Sequence, residues 1–327
     1  MSISKRLAFV LLLIKVSVGK DGTEDGCYGP EAPSSECNSE YRLAPLSVLG
    51  VEVKGIDLKK PVSQSVIDWI QSDLHHYKLV VFRQQFVDVD SMVRIGRQFG
   101  AIGYSDAKSR PNPNLPPEIT AISNEGSEGL RLMLSFHVDG SYQAYPYRYT
   151  LYNMISVPRL GGETLFVDLN GVWNSLTEAQ QERWTKLWGT YRHGHWHPLV
   201  YEHPDTNETT LMFGGPLKFL VSQPNTTEHH RLTQQEEKQW KKELNDAIYR
   251  DDGVHVYSHK YEPGDFVITD NLALAHNSGE HSLEPPEKVG LRLLHRLNIL
   301  GRHRPMDLRL QADNERKFRK MREALRE

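Results

Sequence analysis

His137 and Asp139 stand two positions apart in the run Phe136-His137-Val138-Asp139-Gly140. In an extended chain, residues i and i+2 point to the same face, so an imidazole and a carboxylate at this spacing can hold one ion between them. A lone His-x-Asp pair also arises by chance, and its other reading is a hydrogen-bonded surface pair. His276 changes the weighing. It ends the segment Thr269-Asp270-Asn271-Leu272-Ala273-Leu274-Ala275-His276 and offers a second imidazole. Two histidines and one carboxylate on one side of an iron ion leave three coordination positions open, enough for a bidentate cosubstrate and O2.

Downstream, the apolar stretch 291–300 carries Arg292 and Arg296. As a strand it puts Arg292, Leu294, Arg296 and Asn298 on one face and Leu291, Leu293, His295, Leu297 and Ile299 on the other. Guanidinium groups on so apolar a strand need anionic partners. These are either ligands or structural carboxylates such as Glu163 and Asp265. Other signals have blander readings. Arg192-His193-Gly194-His195-Trp196-His197 alternates three histidines and could hold zinc on a strand, although no fourth ligand follows at a clear spacing. Gly161-Gly162 lacks the Lys-Ser or Lys-Thr of a phosphate cradle and reads as a turn. His75-His76 and His229-His230 read as solvated helix or loop residues.

These groups need elements to carry them. Residues 65–77 place Val66, Ile67, Ile70 and Leu74 at helical spacing, and residues 79–82 read as a buried strand. A second helix is expected over residues 90–99, with Asp90 as its cap and Gly100 as its stop. Two more helices are announced by capping boxes, Thr177 with Gln180 and Thr233 with Glu236. The runs 149–157, 164–168, 265–269 and 291–300 are short, partly alternating and bounded by Gly or Pro. Together they predict a mainly β fold, an antiparallel sandwich or jelly roll with flanking helices packed outside.

The 327 residues are 38% hydrophobic and 25% charged, enough apolar content for a globular core. A net charge of -3 with no basic face or tail argues against nucleic acid and for a small molecule as partner. Homo-oligomerisation is left open. Residues 1–20 read as a secretory signal peptide: Lys5 and Arg6 precede the apolar run 7–14, and Ser17 and Gly19 follow. Lys15 leaves that run too short for a stable membrane anchor. A mitochondrial presequence is the rival, poorly suited by Asp21, Glu24 and Asp25. Residues 21–40 form a disordered acidic arm by composition, 41–305 the folded domain and 306–327 a charged C-terminal helix or tail. Cys27 and Cys37, and the sequons at Asn207 and Asn225, agree with the secretory pathway, whether ER lumen or exterior.

His137-x-Asp139, Gly161-Gly162-Glu163-Thr164, His197-Pro198-Leu199-Val200 with His203-Pro204, Asp270-Asn271, His276 and Arg292-Leu293-Leu294-His295-Arg296 occur in one order along the chain. In that set the chain resembles the taurine dioxygenase (TauD/TfdA-like) family of Fe(II)- and 2-oxoglutarate-dependent dioxygenases. The resemblance implies a double-stranded β-helix (jelly-roll, cupin-like) core. It implies Fe(2+) on His137, Asp139 and His276, with 2-oxoglutarate as cosubstrate and O2 as oxidant. Thr164 and Arg292 would hold the 2-oxoglutarate carboxylate, Arg296 would lie near the substrate or the same anion, and His197 near the mouth of the site. The reaction implied is oxidation of a small organic substrate, with release of succinate and CO2. Ser105 and Met133 depart from the histidine and asparagine of the taurine enzymes. Arg296, pointing to the same side as Arg292, needs an acid and so motivates a small anionic substrate, and a pocket with Ser105, Met133, Tyr142 and Phe213 is expected to take an amino-acid-derived or fatty carboxylate rather than taurine. Two further readings stand beside this one: an inactive secreted small-molecule-binding protein on the same scaffold, and a zinc hydrolase built on histidines 193–197. The presence of all five metal and cosubstrate residues favours turnover.

Overall fold

A computed structural model describes residues 41–104, 114–125, 135–191, 194–215, 217–224, 227 and 229–308. The signal segment, the acidic arm with Cys27 and Cys37, Ser105, Met133, His193, the Asn225 sequon and the tail from residue 309 lie outside the described residues.

The chain runs through β1 (Arg42–Pro45), β2 (Val51–Lys54), α1 (Gln64–Tyr77), β3 (Leu79–Phe82), α2 (Val89–Phe99) and β4 (Thr120–Ser123). Next come β5 (Tyr149–Ser156), β6 (Thr164–Asp168), α3 (Leu169–Asn174), α4 (Glu178–Trp184), β7 (Leu187–Tyr191) and β8 (Trp196–Pro198). β9 (Val200–Glu202), β10 (Thr209–Leu211), β11 (Leu217–Ser222), β12 (His230–Arg231) and α5 (Gln234–Ile248) follow. The domain closes with β13 (Val256–His259), β14 (Phe266–Asp270), β15 (Leu274–Ser278), α6 (Pro286–Val289) and β16 (Leu293–Ile299).

Seven strands form one sheet in the order β1-β2-β3-β14-β5-β16-β4, antiparallel except where β2 meets β3. A second sheet has the order β13-β6-β15. Period-2 alternation explains how the two pack. On β3, Val80 and Phe82 face a core shared with Ile67, Ile70 and Leu74 of α1 and Met92 and Ile95 of α2. Leu79 and Val81 face the opposite way and join Tyr152, Met154, Phe166, Val267, Leu274 and Leu294, drawn from both sheets. Both faces of β3 are therefore covered, and all four of its residues are buried. A third core gathers Trp184, Leu187, Leu220 and Trp240 around α3 to α5, where a further sheet, β12-β11-β7-β8, lies. This is the expected sandwich of antiparallel sheets with helices outside.

Helix ends follow the capping chemistry with one shift. The boxes at Thr177 and Thr233 form as expected. Asp88, not Asp90, caps α2: its Oδ1 accepts from Ser91 N at 2.7 Å, so the helix starts at Val89 and Asp90 falls in the first turn. Gly100 ends it as expected.

Candidate active site

His137 does not sit on a regular strand, as its spacing with Asp139 had suggested. It makes a single antiparallel bridge with His276 of β15, exchanging N–H···O bonds of 3.1 and 3.0 Å, and Asp139 lies on the turn that follows. The convergence survives because a backbone docked on β15 brings the two imidazoles together, with ring centroids 4.3 Å apart. Asp139 Oδ1 is 3.6 Å from His137 Nε2 and 4.0 Å from His276 Nε2. Ligand atoms of all three lie within 4.8 Å of one another, and among the described residues no other such group of His, Cys, Asp or Glu occurs.

The chemistry of the three suits a divalent metal. His137 Nδ1 lies 2.9 Å from Ser135 O, a carbonyl that can only accept, so the proton belongs on Nδ1 and the Nε2 lone pair faces inward. Burial, with His137 beside it, holds His276 neutral with a pKa of about 3. Burial would raise the Asp139 carboxyl, but the Arg296 guanidinium beside it outweighs this and holds the group ionised. Two imidazoles and one carboxylate are a donor set that suits a non-haem iron(II) ion.

Asn271 keeps Asp139 in place. Its Oδ1 accepts from Asp139 N at 2.9 Å, and its Nδ2 donates to Asp139 O at 2.9 Å and Tyr147 O at 2.7 Å. The turn that presents Asn271 is set by Asp270, whose Oδ1 accepts from Leu272 N at 3.0 Å and from His203 Nε2 at 3.2 Å. His203 Nδ1 accepts from the backbone of Asp205 and Thr206, which leaves Nε2 as the donor to Asp270. Gly214 lies under the loop at φ +98°, and a Cβ there would overlap Cα and Cβ of His137. Asn271 was legible only as part of a motif, and Gly214 carried no sequence signal.

The candidate cosubstrate end is built around Arg292, which is 2% exposed. It precedes β16 instead of lying on it, and the register shifts between Leu293 and Leu294. Asn124 anchors its backbone, accepting from Arg292 N at 2.8 Å. The guanidinium donates through Nε to Gly162 O at 2.9 Å and through Nη2 to Thr164 Oγ1 at 3.4 Å, while Nη1 is buried with no partner. Neither Glu163 nor Asp265 pairs with it: among the described residues no carboxylate bridges Arg292, and Asp265 is taken by Arg83 at 2.5 Å. A buried cation lacking its anion, beside a hydroxyl, fits the carboxylate of a 2-oxo diacid.

Arg292, Thr164, Leu294, Arg296, Tyr152, His137 and His276 line one cavity, as the shared face of 291–300 predicted. Arg296 already has an acid: Nη1 lies 2.9 Å from Asp139 Oδ2, while its Nε is buried without a partner. The inference that this guanidinium demands an anionic substrate therefore loses its premise. Tyr142 is half-buried on the turn after Asp139, close enough to Arg296 to favour its charge, but does not line the cavity. Phe213 packs in the core beside Val138 and is not a pocket wall. His197 is fully buried with Nε2 2.7 Å from Gln143 O, so it is not at an open mouth and serves as a core hydrogen-bond donor. Tyr152 was missed because a tyrosine in an apolar strand reads as core, and Tyr261, whose hydroxyl lies 3.1 Å from Thr164 Oγ1, because it stands in the loop after β13 with no motif to mark it.

A jelly-roll sandwich carrying a His-Asp-His centre and a buried arginine beside it defines an iron- and 2-oxoglutarate-dependent dioxygenase. The chain belongs to the TauD/TfdA family: the family model described as "Taurine catabolism dioxygenase TauD, TfdA family" matches residues 41–297. An alpha-ketoglutarate-dependent 2,4-dichlorophenoxyacetate dioxygenase of a Burkholderia species is 23% identical over 301 residues, covering 81% of this chain and 95% of its own. An alpha-ketoglutarate-dependent sulfonate dioxygenase of Saccharomyces cerevisiae is 25% identical, covering 75% of this chain and 64% of its own. In fold, the crystal structure of a taurine dioxygenase from Burkholderia xenovorans superposes with a TM-score of 0.68 at 23% identity, over 82% of this chain and 92% of the other.

Proposed function

We propose that the chain oxidises a small organic anion, holding iron on His137, Asp139 and His276 and 2-oxoglutarate through Arg292 and Thr164. The observation that carries this is that His137, His276 and a buried guanidinium that lacks an anion line one cavity, with Asp139 Oδ1 within 4.0 Å of both imidazoles. Bound iron and 2-oxoglutarate supply the oxidising chemistry; the chain supplies binding, orientation and exclusion of water. Asp139 stays ionised beside Arg296, both histidines present their Nε2 atoms, and Ile122, Leu294 and Tyr152 give the cavity an apolar wall.

An anionic substrate is supported by the two relatives named above, whose substrates are a carboxylate and sulfonates. The departures at Ser105 and Met133 favour an amino-acid-derived or fatty carboxylate over taurine. The test is to load the protein with Fe(II) and measure CO2 released from 2-oxoglutarate while sulfonates, amino acids, their N-substituted derivatives and acyl acids are screened. We expect substrate-stimulated decarboxylation by a carboxylate. Selective turnover of taurine would overturn the substrate class, and failure to bind iron or consume 2-oxoglutarate would overturn the activity.

A further inference from the structure

Tyr152 lies on β5 directly opposite Arg296 of β16, and it is 2% exposed. Its ring is wedged edge-on between Phe166 at 5.9 Å and His276 at 6.0 Å, measured between centroids. Packing of this kind fixes the ring and therefore the direction of the hydroxyl. The residue lines the same cavity as Arg292, Thr164, Arg296 and the two histidines, and its hydroxyl is buried with no hydrogen-bond partner. Thr269 stands beside it without the geometry of a hydrogen bond, and donates its own Oγ1 to Thr150 O at 3.4 Å. Buried tyrosine hydroxyls are ordinarily satisfied, and leaving one unmatched is unfavourable unless a ligand completes it.

The orphan is not isolated. Arg292 Nη1 and Arg296 Nε are also buried and unpartnered, and both residues line the cavity. All three groups are hydrogen-bond donors, and none has an acceptor. A dicarboxylate has acceptors in excess. Resting on the reading of Arg292 as a 2-oxoglutarate site, we propose that Tyr152 is a further cosubstrate-binding residue, its hydroxyl donating to a carboxylate oxygen of bound 2-oxoglutarate.

The test uses Fe(II)-loaded full-length protein without oxygen, titrated calorimetrically with 2-oxoglutarate and with 2-oxovalerate, which lacks the distal carboxylate. Tyr152→Phe is expected to weaken 2-oxoglutarate binding about tenfold, the loss of one hydrogen bond to a charged acceptor. Its ligand-free melting temperature is expected to hold or rise, because an unmatched polar atom has been removed. A purely structural tyrosine would show the opposite pair of results. If 2-oxovalerate binds wild type and variant alike, the contact is with the distal carboxylate; if it too binds the variant more weakly, the contact is with the carboxylate at the iron. Affinity for 2-oxoglutarate within twofold of wild type would overturn the proposal. Wild-type protein that binds iron but no 2-oxoglutarate would take down the cosubstrate reading, and this role with it.

Discussion

Asn271 clamps both sides of a proposed iron ligand: one side chain accepts from Asp139 N and donates to Asp139 O. The clamp is 2% exposed, so water cannot replace it. Truncating Asn271 to Ala leaves a buried amide without its acceptor, at roughly 1 to 3 kcal/mol for that group. Residues supporting a metal ligand are commonly worth about 10- to 100-fold in metal affinity. We expect Asn271→Ala to lower the melting temperature and to weaken Fe(II) binding by about tenfold or more, measured by competition with a chelating dye. Wild-type metal affinity in a destabilised variant would reduce Asn271 to a core residue. The same scale shows why Arg296 misled a reading from sequence. Its need for an acid was correctly inferred from an apolar strand, but the acid is Asp139, 157 positions away in the chain.

At the scale of elements, the site depends on one loop being held against one strand. The bridge between His137 and His276 adds the loop to the β13-β6-β15 sheet, and Gly214 lets a third segment pass beneath it. Gly214→Ala would place a methyl group against His137 at a φ that L residues rarely adopt, a backbone cost of about 1 to 3 kcal/mol before any overlap. The expected result is a lower melting temperature together with weaker iron binding, since the loop must lift from β15. Unchanged iron affinity would mean the loop has other room to move. The strands themselves were readable. Residues 164–168 match β6, and within 291–300 the predicted alternation holds from Leu294 onward, past the register shift after Leu293, with Leu294 on the inter-sheet side and Leu297 and Ile299 on the helix side.

Across the molecule, buried titratable groups make stability depend on pH. His197 is the plainest case. Burial pushes its pKa down to about 4, opposed by its hydrogen bond to Gln143 O and assisted by Arg304 and His195. An unfolded histidine titrates near 6.5, so between about 6.5 and 4 the unfolded chain binds more protons than the folded one. Stability from this group is therefore complete above about pH 6.5 and lost as pH falls through 4, by up to about 3 kcal/mol. His197→Gln should be closest to wild type at pH 4 and fall furthest behind above pH 6.5, measured by urea unfolding across that range. A constant difference between the two proteins would show that the imidazole does not titrate as described. The secretory reading of residues 1–20, the two cysteines and the exposed Asn207 sequon rests on the sequence; among the described residues, no helix is long and apolar enough to cross a membrane.

What the sequence determined by itself is everything set by local periodicity and residue chemistry. The alternation of β16 and the capping boxes at Thr177 and Thr233 follow from side-chain direction and donor type, whereas His137, Asp139, His276, Thr164 and Arg292 were picked out as a set by the family resemblance. Only the tertiary structure decided which groups satisfy one another. Arg296 found Asp139, Asp265 went to Arg83, His197 turned inward to Gln143, and Tyr152 was left with an unmatched hydroxyl. The physical reason is that a buried charge or hydroxyl requires a partner but does not specify which one. That choice is made by strand register and loop docking, which join residues far apart in the chain and leave no trace in local pattern.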